Sequence, residues 1–147
     1  MKITIGSDHG AVELKEEIKT VLADFPDIEV KDFGTFGDTA VDYPDIAEKV
    51  CQTVVTGEAD RGILLCGTGI GISIAANKIK GIRAALCTDV YSAKMSREHN
   101  NANVLAMGGR VTGFGPAGEI VKAWVTTEFA GGRHARRVDK ISALEKE

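Results

Sequence analysis

Gly62-Ile63-Leu64-Leu65-Cys66-Gly67-Thr68-Gly69-Ile70-Gly71, running on into Ile72-Ser73-Ile74-Ala75-Ala76-Asn77-Lys78, is the stretch that decides the fold. A short apolar run, three glycines at alternate positions and then a helical pattern predict a strand, a tight turn and a helix start. The first N–H groups of a helix have no internal acceptor, and the helix dipole adds positive potential there, so such a turn favours an anion. Cys66, at the strand end, places a thiol beside this cradle, which suits a phosphate or an oxyanion formed during a reaction. Two better-known glycine motifs do not fit. A dinucleotide fingerprint needs glycine where this chain has Ile72, and a P-loop needs Gly-Lys-Ser/Thr, so NAD and ATP are poor ligands. The competing reading is structural: Gly67, Gly69 and Gly71 only let the chain turn, and Cys66 is a small buried apolar residue.

Outward from this stretch, β-like runs alternate with helical patterns over the whole chain. Residues 2–6, 28–33, 62–66, 82–87 and 104–108 read as strands. Helices are predicted over 11–24, from Pro44 to near Gly57, from near Gly71, from near Asp89 and over about 115–129. No linker, repeat or low-complexity segment interrupts the pattern, so residues 1–147 form a single domain. The alternation predicts an α/β fold, a parallel sheet of five strands with helices on both faces and right-handed crossovers. Ligands of such sheets bind beyond the carboxyl ends of the strands. Asp8 and His9, Cys66 to Gly71, and Gly109 with Arg110 should therefore open onto one edge. Trp124, the only tryptophan, reads as a core or interface anchor.

The chain's 147 residues suit one domain that buries roughly 68–70% of its unfolded surface. Its net charge is −3 and its basic residues are dispersed until the C-terminal end, so it lacks the positive footprint of a nucleic-acid binder. The apolar run within residues 1–10 is too short for a signal peptide, and no run approaches the ~20 residues of a membrane span. A cytoplasmic protein without a membrane partner is expected. Cys51, Cys66 and Cys87 have no C-x-x-C spacing, which predicts reduced thiols rather than disulfides or a zinc site. His9, His99 and His134 also lack metal-ligand spacing.

Three further groups carry candidate chemistry. His9, after Asp8 at a strand end, can reach an anion or a sugar hydroxyl; a helix cap by Asp8 is the plainer alternative. His99 and Asn100 close the fourth helical segment, where a surface histidine stabilised by the dipole is also commonplace. Arg133, His134, Arg136 and Arg137 follow Gly131-Gly132, and the cluster reads either as a solvated face or as a phosphate clamp.

Taken as an ordered set, five segments resemble the sugar-phosphate isomerases of the ribose-5-phosphate isomerase type B and galactose-6-phosphate isomerase family. They are Gly6-Ser7-Asp8-His9-Gly10, Asp42-Tyr43-Pro44, Cys66 to Gly71 with Ala75-Ala76-Asn77-Lys78, His99 to Leu105, and Gly131-Gly132-Arg133-His134. The likeness covers nearly the whole chain. It implies a Rossmann-like sheet and an aldose–ketose isomerisation between ribose 5-phosphate and ribulose 5-phosphate, without metal or organic cofactor.

By that resemblance Cys66 is the base that moves a proton between C2 and C1. Some relatives instead carry a glutamate just after the glycine loop, where this chain has Ile72, which strengthens the case for the thiol. A free thiol has a pKa of about 8.5, and a helix N-terminus lowers that value. N–H groups of Gly67, Thr68, Gly69, Ile70 and Gly71 would stabilise the enediolate, and Thr68 would sit near the ring oxygen. His99 matches the group that opens the furanose ring. Asp8 and Asn100 match sugar contacts, while His9, Arg110, Arg133 and Arg137 match residues that hold the phosphate and nearby hydroxyls. The family forms dimers or tetramers with sites shared between subunits, so a homodimer or homotetramer is implied, with a C-terminal helical segment, residues 133–144, reaching a neighbour. Sugar length would be set by residues 34–43 and 85–91. The rivals are isomerisation of a six-carbon phosphate or another pentose or tetrose phosphate, and a non-catalytic module that binds a phosphate metabolite.

Overall fold

The computed structural model describes residues 1–37 and 39–145. Its elements alternate strictly up to the last helix: β1 (Lys2–Ser7), α1 (Val12–Leu22), β2 (Glu29–Asp32), α2 (Tyr43–Val55), β3 (Arg61–Cys66), α3 (Ile70–Asn77), β4 (Ala84–Leu86), α4 (Val90–Glu98), β5 (Val104–Gly108), α5 (Phe114–Thr126) and α6 (Arg133–Ala143). The strands form one parallel sheet in the order β2-β1-β3-β5-β4. This is the Rossmann-like α/β sheet expected from the alternation.

Period-two alternation sorts the core into two layers. Ile63 and Leu65 of β3, with Leu105 and Met107 of β5, meet α1, α4 and α5 on one face. Leu64 and Cys66, with Val104 and Ala106, meet α2 and α3 on the other. The side chain of Cys66 thus lies on the α2/α3 face, beneath the start of α3. Trp124 is fully buried and anchors the α5 layer, as its reading as a core residue required.

Element ends differ from the sequence reading at the sheet edges. β2 covers Glu29–Asp32 rather than 28–33, and β4 only Ala84–Leu86 rather than 82–87. Ile82 instead closes a turn by donating its N–H to the Ile79 carbonyl at 3.1 Å. Both strands lie at an edge with a single neighbour, where pairing stops as soon as that neighbour diverges.

Lys15 of α1 is a core residue that helical periodicity assigns to the surface. Its side chain is 0% exposed, its Nζ lies 2.5 Å from Asp32 and 4.5 Å above the Phe36 ring. Asp32 also accepts from Lys19 at 3.0 Å and from the Gly34 N–H at 2.8 Å. Burial alone would raise the Asp32 pKa, but Lys15, the Gly34 N–H and Lys19 outweigh it and hold the carboxyl below its ordinary 3.8. Its contribution to stability is therefore complete above that ordinary value and is lost as pH falls through the lower folded value. Asp32→Asn leaves the buried Lys15 ammonium only the half-exposed Glu16 carboxylate, 3.3 Å away, as counter-ion, and the expected loss is about 3 kcal/mol. Chemical denaturation across pH checks this: the gap between variant and wild type should be full at neutral pH and narrow below pH 3.8. A gap that stays constant with pH would contradict the assignment.

Candidate active site

The carboxyl ends of β1, β3 and β5 come together as expected. Asp8 N–H donates to the Leu65 carbonyl at 3.1 Å, Gly109 N–H to that of Cys66 at 2.8 Å, and Arg110 N–H to that of Gly67 at 2.9 Å. The reversal of strand order falls between β1 and β3, the place at which open parallel sheets bind ligands beyond the carboxyl ends of their strands. Asp8 is nearly buried, and its Oδ1 accepts from the Gly10 N–H at 2.9 Å, which forms a turn before α1 rather than a helix cap. His9 is exposed and its Nδ1 accepts from the Val41 N–H at 3.3 Å, so its neutral form carries the proton on Nε2, the nitrogen left for a ligand. The guanidinium of Arg110 lies over Gly67: a Cβ added there would sit 3.3 Å from its Nη1.

The cradle forms because β3 ends under α3. Gly69 is the N-cap of α3 with φ +81°, and a Cβ there would stand 2.7 Å from both Leu86 Cδ1 and the Met107 carbonyl carbon. Only glycine meets both the backbone conformation and the close approach. This bend turns the Gly69 N–H onto Cys66 Sγ at 3.1 Å. Thr68 Oγ1 accepts from the Ile70 N–H at 3.2 Å, which leaves the exposed hydroxyl's own proton for a ligand. The N–H groups of Gly71 and Ile72 have no acceptor among the described residues. Ile72, the position of the alternative glutamate, is fully buried in the core.

The three cysteines are not equivalent. Burial pushes the Cys51 thiol up to about 12 and the Cys87 thiol to about 11, so both are held protonated and inert. Cys66 alone receives a backbone N–H from the cradle.

The remaining candidates gather at the opposite end of the sheet. His99 is the C-cap of α4, and Asn100 lies in the turn that leads into β5. Arg83, just before β4, donates to the carbonyls of Asn100 and Asn101 at 3.1 and 3.0 Å. α6 folds back onto this end, and His134 stacks on His99 with ring centroids 4.2 Å apart and planes 12° apart. Desolvation, then His99, Arg133 and Arg137 nearby, lowers the His134 pKa below 6.5. Arg133 and Arg137 are exposed and one helical turn apart on α6. Asn100 also borders a cavity of about 610 Å³ between α6 and residues 77–85.

Asn100 thus lies before β5 and Arg110 after it. The five residues of that strand alone span about 13 Å, and the packed core stands between the two ends. Asp8, His9, Cys66 to Gly71 and Arg110 form one group; His99, Asn100, Arg133 and Arg137 form another. No single small ligand touches both groups within one chain.

Sequence reading places Tyr43 in the loop expected to set sugar length, and the structure puts its ring against Gly71 of the cradle. The segment Asp42-Tyr43-Pro44 was visible, but its packing partner is not encoded nearby. Of residues 34–43, Asp38 lies outside the described residues. At the other segment expected to set sugar length, Leu86 closes on Gly69. Among the described residues no three His, Cys, Asp or Glu side chains gather to hold a metal ion, and no helix is long and apolar enough to cross a membrane.

Residues 3–141 match the Ribose/Galactose Isomerase family. The chain is similar to the solved structure of Clostridium thermocellum Ribose-5-Phosphate Isomerase B, with a TM-score of 0.94 and 59% identity over 98% of this chain and 97% of that one. It is 50% identical to Ribose-5-phosphate isomerase B of Escherichia coli over 99% of this chain and 97% of that protein. It is also 45% identical to the D-erythrulose-4-phosphate isomerase of Pectobacterium atrosepticum, over 99% of this chain and 95% of that protein.

Proposed function

Because the chain belongs to the Ribose/Galactose Isomerase family of sugar-phosphate isomerases, we propose that it interconverts ribose 5-phosphate and ribulose 5-phosphate through an enediolate. The observation that carries this is the Gly69 N–H directed at Cys66 Sγ beneath the unpartnered N–H groups of α3. A base and an oxyanion cradle thereby share one turn of chain.

His99 protonates the ring oxygen while the anomeric hydroxyl gives its proton to solvent water, from which His99 is reprotonated; the bond from ring oxygen to C1 breaks and C1 becomes an aldehyde. Cys66, as thiolate, then takes the C2 proton. The electron pair left behind forms the C1–C2 double bond, and the former carbonyl oxygen takes the negative charge in the cradle. The O2 proton passes to O1, the Cys66 thiol returns its proton to C1, and the carbonyl stands at C2. Atoms and charge balance without an external oxidant. Thr68 sits beside the ring oxygen, Asp8 and Asn100 hold sugar hydroxyls, and His9, Arg110, Arg133 and Arg137 hold the phosphate. A placed base contributes on the order of 10²–10⁴ and a cradle donor on the order of 10²–10³ in rate.

The separation of the two groups supports a homodimer whose sites are shared, since a two-fold axis brings the His99 group of each copy to the Cys66 group of the other. Exposed Ile70 and Ile74 of α3, with Leu86, Val90 and Tyr91, supply an apolar face beside the cradle for a second copy to cover. In this arrangement residues 133–144 bring Arg133 and Arg137 to the neighbour's phosphate.

The test is turnover of ribose 5-phosphate by the reduced protein, with allose 6-phosphate and D-erythrulose 4-phosphate run alongside. Fast pentose turnover is expected. A preference above tenfold for either other sugar would reassign the substrate, and the relative named as a D-erythrulose-4-phosphate isomerase makes the four-carbon ketose the specific rival.

A further inference from the structure

Asp42-Tyr43-Pro44 is the one matching segment to which the mechanism above gives no role. α2 starts at Tyr43, and Pro44 fixes its first turn. The two helix starts, of α2 and α3, lie side by side on one face of the sheet, and the Tyr43 ring rests on Gly71. A Cβ on Gly71 would stand 2.6 Å from Tyr43 Cζ and 2.8 Å from its hydroxyl oxygen. A side chain at position 71 would have to displace the phenol from this place. Gly71 is also the residue whose N–H, with that of Ile72, is left without an acceptor at the start of α3. The phenolic oxygen therefore stands at the same turn as the free N–H groups of the cradle. Tyr43 is 39% exposed, and its hydroxyl has no hydrogen-bond partner among the described residues.

We infer that Tyr43 contacts substrate, its O–H adding a side-chain donor to the backbone N–H groups of Gly71 and Ile72 and bonding to the enediolate oxygen as charge develops there. This rests on the isomerase reading above. A donor of this kind acts in the transition state more than in the ground state, so its removal lowers kcat at nearly constant KM.

Tyr43→Phe keeps the ring against Gly71 and removes only the O–H, so fold and melting temperature should hold. The expected result is a fall of about tenfold in kcat with KM within about twofold. Affinity for a four-carbon phosphate hydroxamate that mimics the enediolate should weaken by a similar factor, while affinity for inorganic phosphate stays unchanged. A kcat within twofold of wild type, or a rise in KM alone, would overturn the assignment of Tyr43 and leave the isomerase intact. A wild-type protein silent on every sugar phosphate would overturn the isomerase reading, and this assignment with it.

Discussion

Cys66→Ala is expected to lower kcat for ribose 5-phosphate by about 10³-fold or more while the substrate still binds, because in the proposed mechanism it removes the base. Nothing in the surroundings can replace it. Cys51 and Cys87 are held protonated by burial, at about 12 and 11. The residue at the position where some relatives carry glutamate is Ile72, packed in the core and without a titratable group. Water admitted into the vacated space is a far weaker base. The groups proposed to bind substrate remain: the cradle touches the sulfur through the Gly69 N–H, and Gly69 is held by its own backbone turn and by Leu86 and Met107 beside it. Two measurements check this: steady-state turnover, and exchange of the C2 proton with solvent deuterium. Both should vanish together while the substrate dissociation constant changes by only a few-fold. Retention of kcat would remove Cys66 as the base. Loss of turnover with surviving C2 exchange would place the thiol in a later step.

The ease with which β3, the glycine turn and α3 were legible has a physical basis. Each is encoded by residues within one short window: an apolar run, glycine where φ must be positive, and an apolar pattern continuing at helical spacing. The edge strands were less legible because their ends depend on partners elsewhere; Ile82 looks as strand-like as Ala84 but forms a turn with Ile79. Lys15 was hidden for a similar reason, since its counter-ion Asp32 and its covering ring Phe36 belong to another strand and loop. The site divides in the same way. Asp8, His9, Cys66 and Arg110 follow strand ends, so topology alone gathers them on one edge. His99 and Asn100 end a helix, and the same topology sends them to the other edge, which sequence spacing does not display. The stacking of His134 on His99 and the resting of Tyr43 on Gly71 are long-range contacts with no local signature.

That division makes the second prediction decisive, because it depends on where His99 sits rather than on what it does. Cys66→Ala and His99→Asn should each be nearly inactive on the ring-closed substrate. If both groups served one chain's site, every chain in a mixture of the two variants would still carry a defect, and no combination would work. With sites shared across a two-fold axis, a mixed dimer holds one site with both substitutions and one with neither. Random exchange of subunits makes half of all dimers mixed, so unfolding and refolding the two inactive variants together should restore about a quarter of wild-type activity. A kcat per intact site equal to wild type, with the unchanged KM of the native enzyme, should accompany the recovery. Absence of any recovery, in a sample shown by mass to contain mixed dimers, would place His99 and Cys66 in one chain's site. The packed sheet between them would then have to be bridged by a rearrangement for which β5, fully buried and paired on both sides, leaves no room.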